Sequence, residues 1–359
     1  MNKNNYVAIM AGGIGSRFWP ASRVNRPKQF LDIMGTGKSL IQQTSDRFLK
    51  LCPKENIFIV TNSIYKDLVK EHLPYISDNQ ILCEPSRNNT APCVAYTALK
   101  LASLNPDANL VVAPSDHIIL KEDAFIQTLD QALAYTASHD ALLTLGISPT
   151  RPDTGYGYIK YEAVPKDGVH KVERFTEKPD FDTAKSFVSS GSYLWNAGIF
   201  VWSVKSLIEA FKTNAPEIID ILAAGNDHYN TDQEQSFIDK AYPTTPSISI
   251  DYAIMEKATN VFTIPSEFGW SDLGTWASLH AESEKDEHGN SSNSEHALFF
   301  ESGNNMIRLP KNKLAVINGL EDYIIVDEDD VLLIFPKSKE QEIKKITKLI
   351  KEKKGENFV

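Results

Sequence analysis

Four runs in the first half of the chain are apolar at nearly every position: Tyr6–Met10, Asn56–Val60, Asn109–Ala113 and Ala141–Leu145. A strand without a polar face is buried on both sides. Between these runs, Ser39–Leu51, Pro92–Leu104 and Phe125–Ser138 space their apolar residues at helical intervals. The alternation predicts βαβ units and a mostly parallel sheet covered on both faces. Ligands of such sheets bind beyond the carboxyl ends of the strands, so residues just after each strand carry the chemistry.

The second half is less regular. Gly155–Tyr161, Lys171–Phe175 and Ala197–Trp202 read as strands, Val204–Thr213 and Glu234–Tyr242 as helices. Ala281–His296 is rich in Ser, Asn, Glu and His and predicts a domain boundary, with one unit over 1–285 and another over 286–359. Beyond it, Ala297–Phe300, Leu314–Ile317, Tyr323–Val326 and Val331–Phe335 predict a small β unit. Lys339–Lys354 carries Ile343, Ile346, Leu349 and Ile350 at helical spacing and reads as an amphipathic closing helix with a solvated Lys-rich face.

Composition then narrows the partners. Hydrophobic residues are 42% of the 359, enough for a sizeable core. The 37 basic and 47 acidic residues give a net charge of −10, which argues against a general nucleic-acid or anionic-membrane surface. An anionic substrate would need local cations, a metal or backbone N–H groups. Cys52, Cys83 and Cys93 form no CxxC pair, which argues against structural zinc and a disulfide framework and for a cytoplasmic setting. No apolar stretch approaches the ~20 residues of a membrane span, and Val7–Ala11 is too short for a signal peptide core.

The first strand runs directly into Ala11-Gly12-Gly13-Ile14-Gly15-Ser16-Arg17. Glycines there let backbone N–H groups approach phosphate oxygens, whereas a plain βα turn would need only one or two. Two decoys are set aside. The dinucleotide pattern G-x-G-x-x-G fails because Phe18 stands at its third glycine. Gly35-Thr36-Gly37-Lys38-Ser39 resembles a P-loop ending, but Asp32 occupies the position of the leading glycine. Arg17 and Lys28 lie eleven residues apart, and together they suit a triphosphate as a bidentate fork and a point charge.

Gly12-Gly13-x-Gly15-x-Arg17 followed by Pro27-Lys28 resembles the signature of the sugar-1-phosphate nucleotidyltransferases. Trp19-Pro20-x-Ser22-Arg23 and Pro27-Lys28-Gln29-Phe30 are similar to the versions in the mannose-1-phosphate guanylyltransferase branch. The resemblance extends over nearly the whole chain. It implies an α/β, Rossmann-like mixed sheet with a small C-terminal left-handed β-helix domain, often used for homodimers. It also implies GTP and mannose 1-phosphate as substrates, with Mg2+ as cofactor. Some relatives carry a further isomerase domain; a chain ending at Val359 is expected to be the single-activity form.

Further blocks are similar to the family's. Glu84-Pro85-Ser86-Arg87-Asn88-Asn89-Thr90 resembles the guanine-side motif, which places Glu84, Pro85, Asn89 and Thr90 with Ala11, Gly12, Gly13, Gly15 and Ser16 at the nucleotide. A carboxylate suits guanine, whose N1–H and N2–H₂ are adjacent donors. The same stretch also reads as a turn capping a helix. Asn88 departs from the usual basic residue, and Arg87 is the neighbouring substitute. Asp116, after the third apolar run, and Asp272 in Trp270-Ser271-Asp272-Leu273-Gly274-Thr275-Trp276 match the two carboxylates that share Mg2+ in the family.

On the sugar side the matches are Gly155-Tyr156-Gly157-Tyr158-Ile159, Phe175-Thr176-Glu177-Lys178-Pro179 and Asn196-Ala197-Gly198. They assign Gly155, Tyr156, Glu177, Asn196 and Gly198 to the hexose and Lys178 to the attacking phosphate. Read without the resemblance, Glu177-Lys178 is a solvated ion pair and Trp195–Trp202 is core. Asp251 in Ser249-Ile250-Asp251-Tyr252-Ala253 either bears on substrate or caps a helix. The predicted catalytic set is Arg17, Lys28, Asp116, Lys178 and Asp272. A different hexose phosphate or nucleotide, and a non-catalytic sugar-nucleotide binder, remain as alternatives.

Overall fold

The strand-forming runs are buried as their composition demands. In the computed structural model, which describes residues 2–359, Val7, Ile9, Ile57, Ile59, Val111 and Leu143 are wholly inaccessible. The chain divides into two compact units. The first comprises residues up to Gly12, Thr44–Ser115 and Ile119–Trp270; the second comprises Gly13–Gln43, Asp116–Ile118 and Ser271–Val359.

The first unit holds a nine-stranded sheet. Its strands are β1 (Asn5–Met10), β2 (Ile57–Asn62), β3 (Ile81–Glu84), β4 (Asn109–Pro114), β5 (Leu142–Ile147), β6 (Gly157–Tyr161), β7 (His170–Glu177), β8 (Tyr193–Ser203) and β9 (Val261–Ser266). Their order is β3-β2-β1-β4-β8-β5-β9-β7-β6, and β8 also pairs with β6. The pairings of β1 with β2 and β4, β2 with β3, and β9 with β5 are parallel. All pairings of β8 and β7 are antiparallel. The sheet is therefore mixed, not mostly parallel. The reason is β8, an eleven-residue strand that inserts antiparallel between β4 and β5.

Helices Thr90–Leu104, Val204–Asn214 and Pro216–Ala223 cover one face, where Tyr96, Phe211 and Leu222 join Phe58, Val112 and Trp202 in one core. Glu122–Thr136 supplies Phe125, Leu129 and Leu133 as buried residues elsewhere in the unit, with Phe125 edge-on to Phe48 and Phe268. Cys52, Cys83 and Cys93 are buried and unpaired with one another.

In the second unit Phe18, Trp19, Leu31, Leu273, Trp276, Met306, Ile324 and Ile343 form one core. Six short strands are present: β10 (Ser291–Ser292), β11 (Ala297–Phe300), β12 (Met306–Arg308), β13 (Ala315–Asn318), β14 (Tyr323–Glu328) and β15 (Val331–Pro336). β10, β12 and β14 pair in parallel, as do β11 and β13. Only β15 runs antiparallel, against β14. Residues 285 and 286 both lie inside this unit.

The Ser/Asn-rich segment is folded, and its polar side chains do structural work. Asp286 accepts from the N–H groups of His288 and Asn290. Buried Asn290 accepts from the Asn305 backbone N–H, and buried Asn305 accepts from the Tyr323 N–H at 2.9 Å and donates to Leu320 O at 2.8 Å. The amides thus serve the backbone between successive parallel strands. Asn305→Ala strands several buried polar groups and is expected to cost about 3 kcal/mol of stability, read from the urea midpoint. An unchanged midpoint would remove this role.

Candidate active site

Chemistry-bearing residues gather in three clusters, two in the first unit and one in the second. The first stands at the end of β3. Glu84 is 9% exposed, and the Tyr242 hydroxyl donates to its Oε1. Burial pushes its carboxyl up to about 7, against the pull of Tyr242 and Arg87. A Cβ on Gly12 would lie 3.5 Å from Glu84 Oε2, so the glycine at the end of the first strand borders this carboxylate. Asn89 sits at φ 66° and caps the helix that Thr90 begins, so the capping role and the buried carboxylate coexist in one motif. Thr90 Oγ1 accepts from Ile250 N at 2.9 Å.

Asn88, the departure from the family pattern, is buried. Its amide donates to Tyr242 O and Thr245 O at 3.0 and 2.9 Å. Arg87 is exposed and donates to the Tyr65 hydroxyl at 3.0 Å.

The raised Glu84 carboxyl has a stability consequence. The folded state binds its proton more tightly than the unfolded chain does. Between about 4.5 and about 7 the folded protein therefore holds more protons, and stability falls as pH rises through that window. Denaturant titrations at pH 5 and pH 8 should show the loss, reduced in Glu84→Gln. Equal slopes in both proteins would contradict it.

The second cluster lies on β6, β7 and β8. Glu177, with its side chain 5% exposed, pairs with Lys178, which is 54% exposed and at φ 46°. Burial works against the Lys178 ammonium, but Glu177 and Asp251 outweigh it and raise its pKa. A Cβ on Gly157 would meet Glu177 Oε2 at 2.6 Å, so only glycine leaves that carboxylate its place. Asn196 Oδ1 accepts from Thr144 Oγ1 at 2.7 Å and Gly198 N at 3.1 Å, and its Nδ2 donates to Asp251 at 2.9 Å. Tyr156 meets Trp195 and Trp270 edge-on, and Gly155 N donates to Asp153. The ion pair read from the sequence is real, and it belongs to a larger network.

The third cluster belongs to the second unit. Gly15, at φ 71°, starts the turn Ser16–Phe18. A Cβ there would come within 2.5 Å of Lys28 Cβ, so the last loop glycine exists to seat Lys28. Lys28 is 3% exposed. Its Nζ donates to Asp272 O at 3.0 Å and Leu273 O at 2.6 Å, and lies 3.0 Å from Asp116 Oδ2. All three ammonium donors are engaged. Burial pushes the Asp116 carboxyl up, but Lys28 and His117 overcome this and hold it below the usual range. Lys28 thus ties the two predicted metal carboxylates' segments together. Gly274 allows the Asp272 carboxylate its place, since a Cβ would meet Oδ2 at 2.8 Å. Arg17 is exposed, and its Nε donates to Gln341 Oε1 at 2.9 Å.

The Gly35–Ser39 loop behaves as its Asp32 foretells. The Asp32 carboxylate accepts from Thr36 N and Gly37 N at 2.9 and 2.8 Å, which takes up N–H groups a P-loop would offer to phosphate. Among the described residues no helix is long and apolar enough to cross a membrane, and no group of three or more His, Cys, Asp or Glu is placed to hold a metal.

The sequence profile described as nucleotidyl transferase matches residues 6–289. The chain belongs to this nucleotidyltransferase family. The xanthan biosynthesis protein XanB of Xanthomonas campestris is 37% identical over 346 residues, covering 96% of this chain and 72% of the relative. The mannose-1-phosphate guanylyltransferase RfbM of Salmonella typhimurium is 38% identical over 349 residues, covering 96% and 72%. A Thermus thermophilus structure described as a mannose-1-phosphate geranyltransferase superposes with TM-score 0.86 at 28% identity, covering 97% of this chain and 99% of that one.

Several residues of this nucleotidyltransferase's clusters escaped the sequence. Tyr242, Thr144 and Gln341 lie far along the chain from Glu84, Asn196 and Arg17, in stretches without a motif of their own. Glu256, which accepts from Glu177 N at 2.8 Å, carries no local signal either.

Proposed function

We propose that the protein transfers a guanylyl group from GTP to α-D-mannose 1-phosphate, forming GDP-mannose and pyrophosphate. The observation that carries this is the buried Glu84 carboxylate at the end of β3. It is supported by 38% identity over 96% of the chain to a protein named as a mannose-1-phosphate guanylyltransferase. Ionised Glu84 accepts from guanine N1–H and N2–H₂, whereas adenine offers no donor at N1. Gly12, Gly13, Gly15 and Ser16 present backbone N–H groups to the phosphates, Ala11 anchors the start of the loop through its N–H to Val60 O at 2.7 Å, and Pro85, Asn89 and Thr90 lie beside the base. Gly155, Tyr156, Glu177, Asn196 and Gly198 surround the hexose.

A sugar-phosphate oxygen, already ionised, attacks the α-phosphorus. The new P–O bond forms as the bond to the pyrophosphate oxygen breaks, and no general base is needed. Catalysis is positioning and charge neutralisation by Arg17, Lys28 and Lys178. Asp116 and Asp272 would hold Mg2+. They suit it, because Asp116 is kept ionised and about a third exposed (32%), and Mg2+ takes one or two carboxylates plus phosphates and waters. The metal would supply neutralisation of phosphate charge. Pyrophosphate release across a panel of NTPs and hexose 1-phosphates tests the assignment. Preference for GTP with mannose 1-phosphate is expected; equal use of glucose 1-phosphate or UTP would favour another sugar nucleotide, and binding without turnover a non-catalytic role.

We also propose that the catalytic module ends near residue 285, close to residue 289 where the family match stops. The tail is then a left-handed β-helix: Ala297 pairs with Ala315 and Met306 with Ile324, an offset of 18 residues in both. Leu298, Phe300, Leu314 and Val316 are about half exposed or more on its outer strands and suit a homodimer contact. Light scattering should give twice the 40.1 kDa chain mass, and half that for Phe300→Glu. A monomeric wild type would refute the contact. The three buried thiols accord with a cytoplasmic setting.

A further inference from the structure

Tyr242 is wholly buried and does not itself reach a substrate. Its hydroxyl is spent on Glu84, donating to Oε1. Among the described residues it is the one hydrogen-bond partner of that carboxylate. Oε2 is left free of it, on the side that borders Gly12. The terminal torsion of a glutamate is broad and soft, so an untethered carboxylate turns easily. Here one oxygen is pinned, and the plane of the group is set.

Tyr242 is itself fastened at two points to the strand end that carries Glu84. It opens the turn Tyr242–Thr244, which follows the helix Glu234–Ala241. From the start of that helix, Gln235 Nε2 donates at 3.2 Å to Cys83 O, the carbonyl just before Glu84. At its far end Asn88 Nδ2 donates to Tyr242 O at 3.0 Å and to Thr245 O at 2.9 Å. Carbonyls only accept, so the orientation of the buried amide is unambiguous. Asn88 Oδ1 in turn accepts from Ser86 Oγ at 2.9 Å. Asn88 and Ser86 both belong to the motif that begins at Glu84. The motif thus holds the turn, and the turn holds the motif's own carboxylate.

We propose that Tyr242, held by Asn88, is a positioning residue that sets nucleotide specificity by fixing the Glu84 carboxylate for a purine with two adjacent donors. The inference rests on the reading of Glu84 as the guanine contact. Guanine offers N1–H and N2–H₂ side by side, and a carboxylate meets both only when its plane lies along them. Each oxygen has two lone pairs, so Oε1 accepts from Tyr242 and from the base at once. Without the hydroxyl, the carboxylate turns to meet N1–H alone. The amino group then counts for little. Hypoxanthine, which keeps N1–H and lacks that amino group, becomes nearly as good as guanine.

The test is steady-state pyrophosphate release by the full chain from mannose 1-phosphate with GTP, ITP or ATP. Wild type should prefer GTP to ITP by about tenfold or more in kcat/KM, the worth of one hydrogen bond to a charged group. Tyr242→Phe removes only the hydroxyl and should cut that preference by about tenfold. The loss should fall on KM for GTP, while KM for mannose 1-phosphate stays as in wild type. Asn88→Ala should lower the same ratio, and the double variant should match Tyr242→Phe alone, because Asn88 acts through the hydroxyl. An unchanged GTP/ITP ratio in Tyr242→Phe, beside a ratio lost in Glu84→Gln, would overturn the inference and leave the Glu84 reading standing. A ratio unchanged in Glu84→Gln would overturn both. A gain in ATP use equal to that in ITP use would mean a loosened base pocket and also overturn the inference. Fully additive effects would remove Asn88 from it. A wild type that uses ITP as well as GTP overturns it without any variant having to fold.

Discussion

Lys28→Met is expected to lower kcat/KM by at least about 10²-fold and to destabilise the fold by about 3 kcal/mol. Methionine conserves the apolar stem that runs beneath the Gly15 turn. What it removes is the ammonium, and with it the bonds to Asp272 O, Leu273 O and Asp116. Two carbonyls and a carboxylate then lack their cation. Because Asp116 is 32% exposed, water recovers part of the loss, which holds the cost below that of a fully buried pair. The functional loss has its own cause, since Asp116 and the Asp272–Leu273 turn lose their common anchor. Lys28→Arg should not rescue, because a planar fork cannot reproduce three bonds converging on one nitrogen. Steady-state kinetics and urea unfolding read the two effects separately. Wild-type kcat/KM in Lys28→Met would contradict the role of this residue.

Asp272→Asn is expected to reduce turnover by at least about 10²-fold with little change in stability. The Asp272 carbonyl, not its side chain, receives Lys28, so the substitution leaves that bond intact. Asparagine matches the shape that Gly274 accommodates, and the change is one of charge. The Mg2+ concentration for half-maximal activity should rise. Asp116→Asn should differ in one respect. It also weakens the Lys28 ion pair, so it should lose stability that Asp272→Asn keeps. Unchanged Mg2+ dependence in both variants would remove the metal assignment.

The sequence foretold most elements that are buried on two faces, because those runs have no competing pattern. β3 and β9 were missed for opposite reasons. Ile81–Glu84 is only four residues and ends in a carboxylate, so it lacks the length of a pattern. Val261–Ser266 carries Thr263 and Pro265 amid its apolar residues, and Thr263 is nonetheless fully buried. The tail was legible as short strands. Its stacking was not, because the buried Asn290 and Asn305 look like loop residues until their long-range bonds are seen.

For the site, motifs supplied residues but not pairings. Lys28 reads as a free cation for a triphosphate; folding commits it to Asp116 and two carbonyls. Arg17 reads as a phosphate fork; it meets Gln341, 324 positions away. Asn196 reads as a contact for hydroxyls; its amide is engaged by Thr144, Gly198 and Asp251. A motif records which chemistry is present. Which partner holds it depends on residues brought near by the sheet order, and nothing local encodes that order.

Guanylyl transfer from GTP to a sugar phosphate requires attack at the α-phosphorus. Mass spectrometry of products from GTP, Mg2+ and mannose 1-phosphate labelled with ¹⁸O in its phosphate tests it most directly. The expected result is GDP-mannose and pyrophosphate in equal amounts, with the label wholly in the GDP-mannose. Pyrophosphate without GDP-mannose, labelled pyrophosphate, or no product under conditions where the protein binds GTP would contradict it.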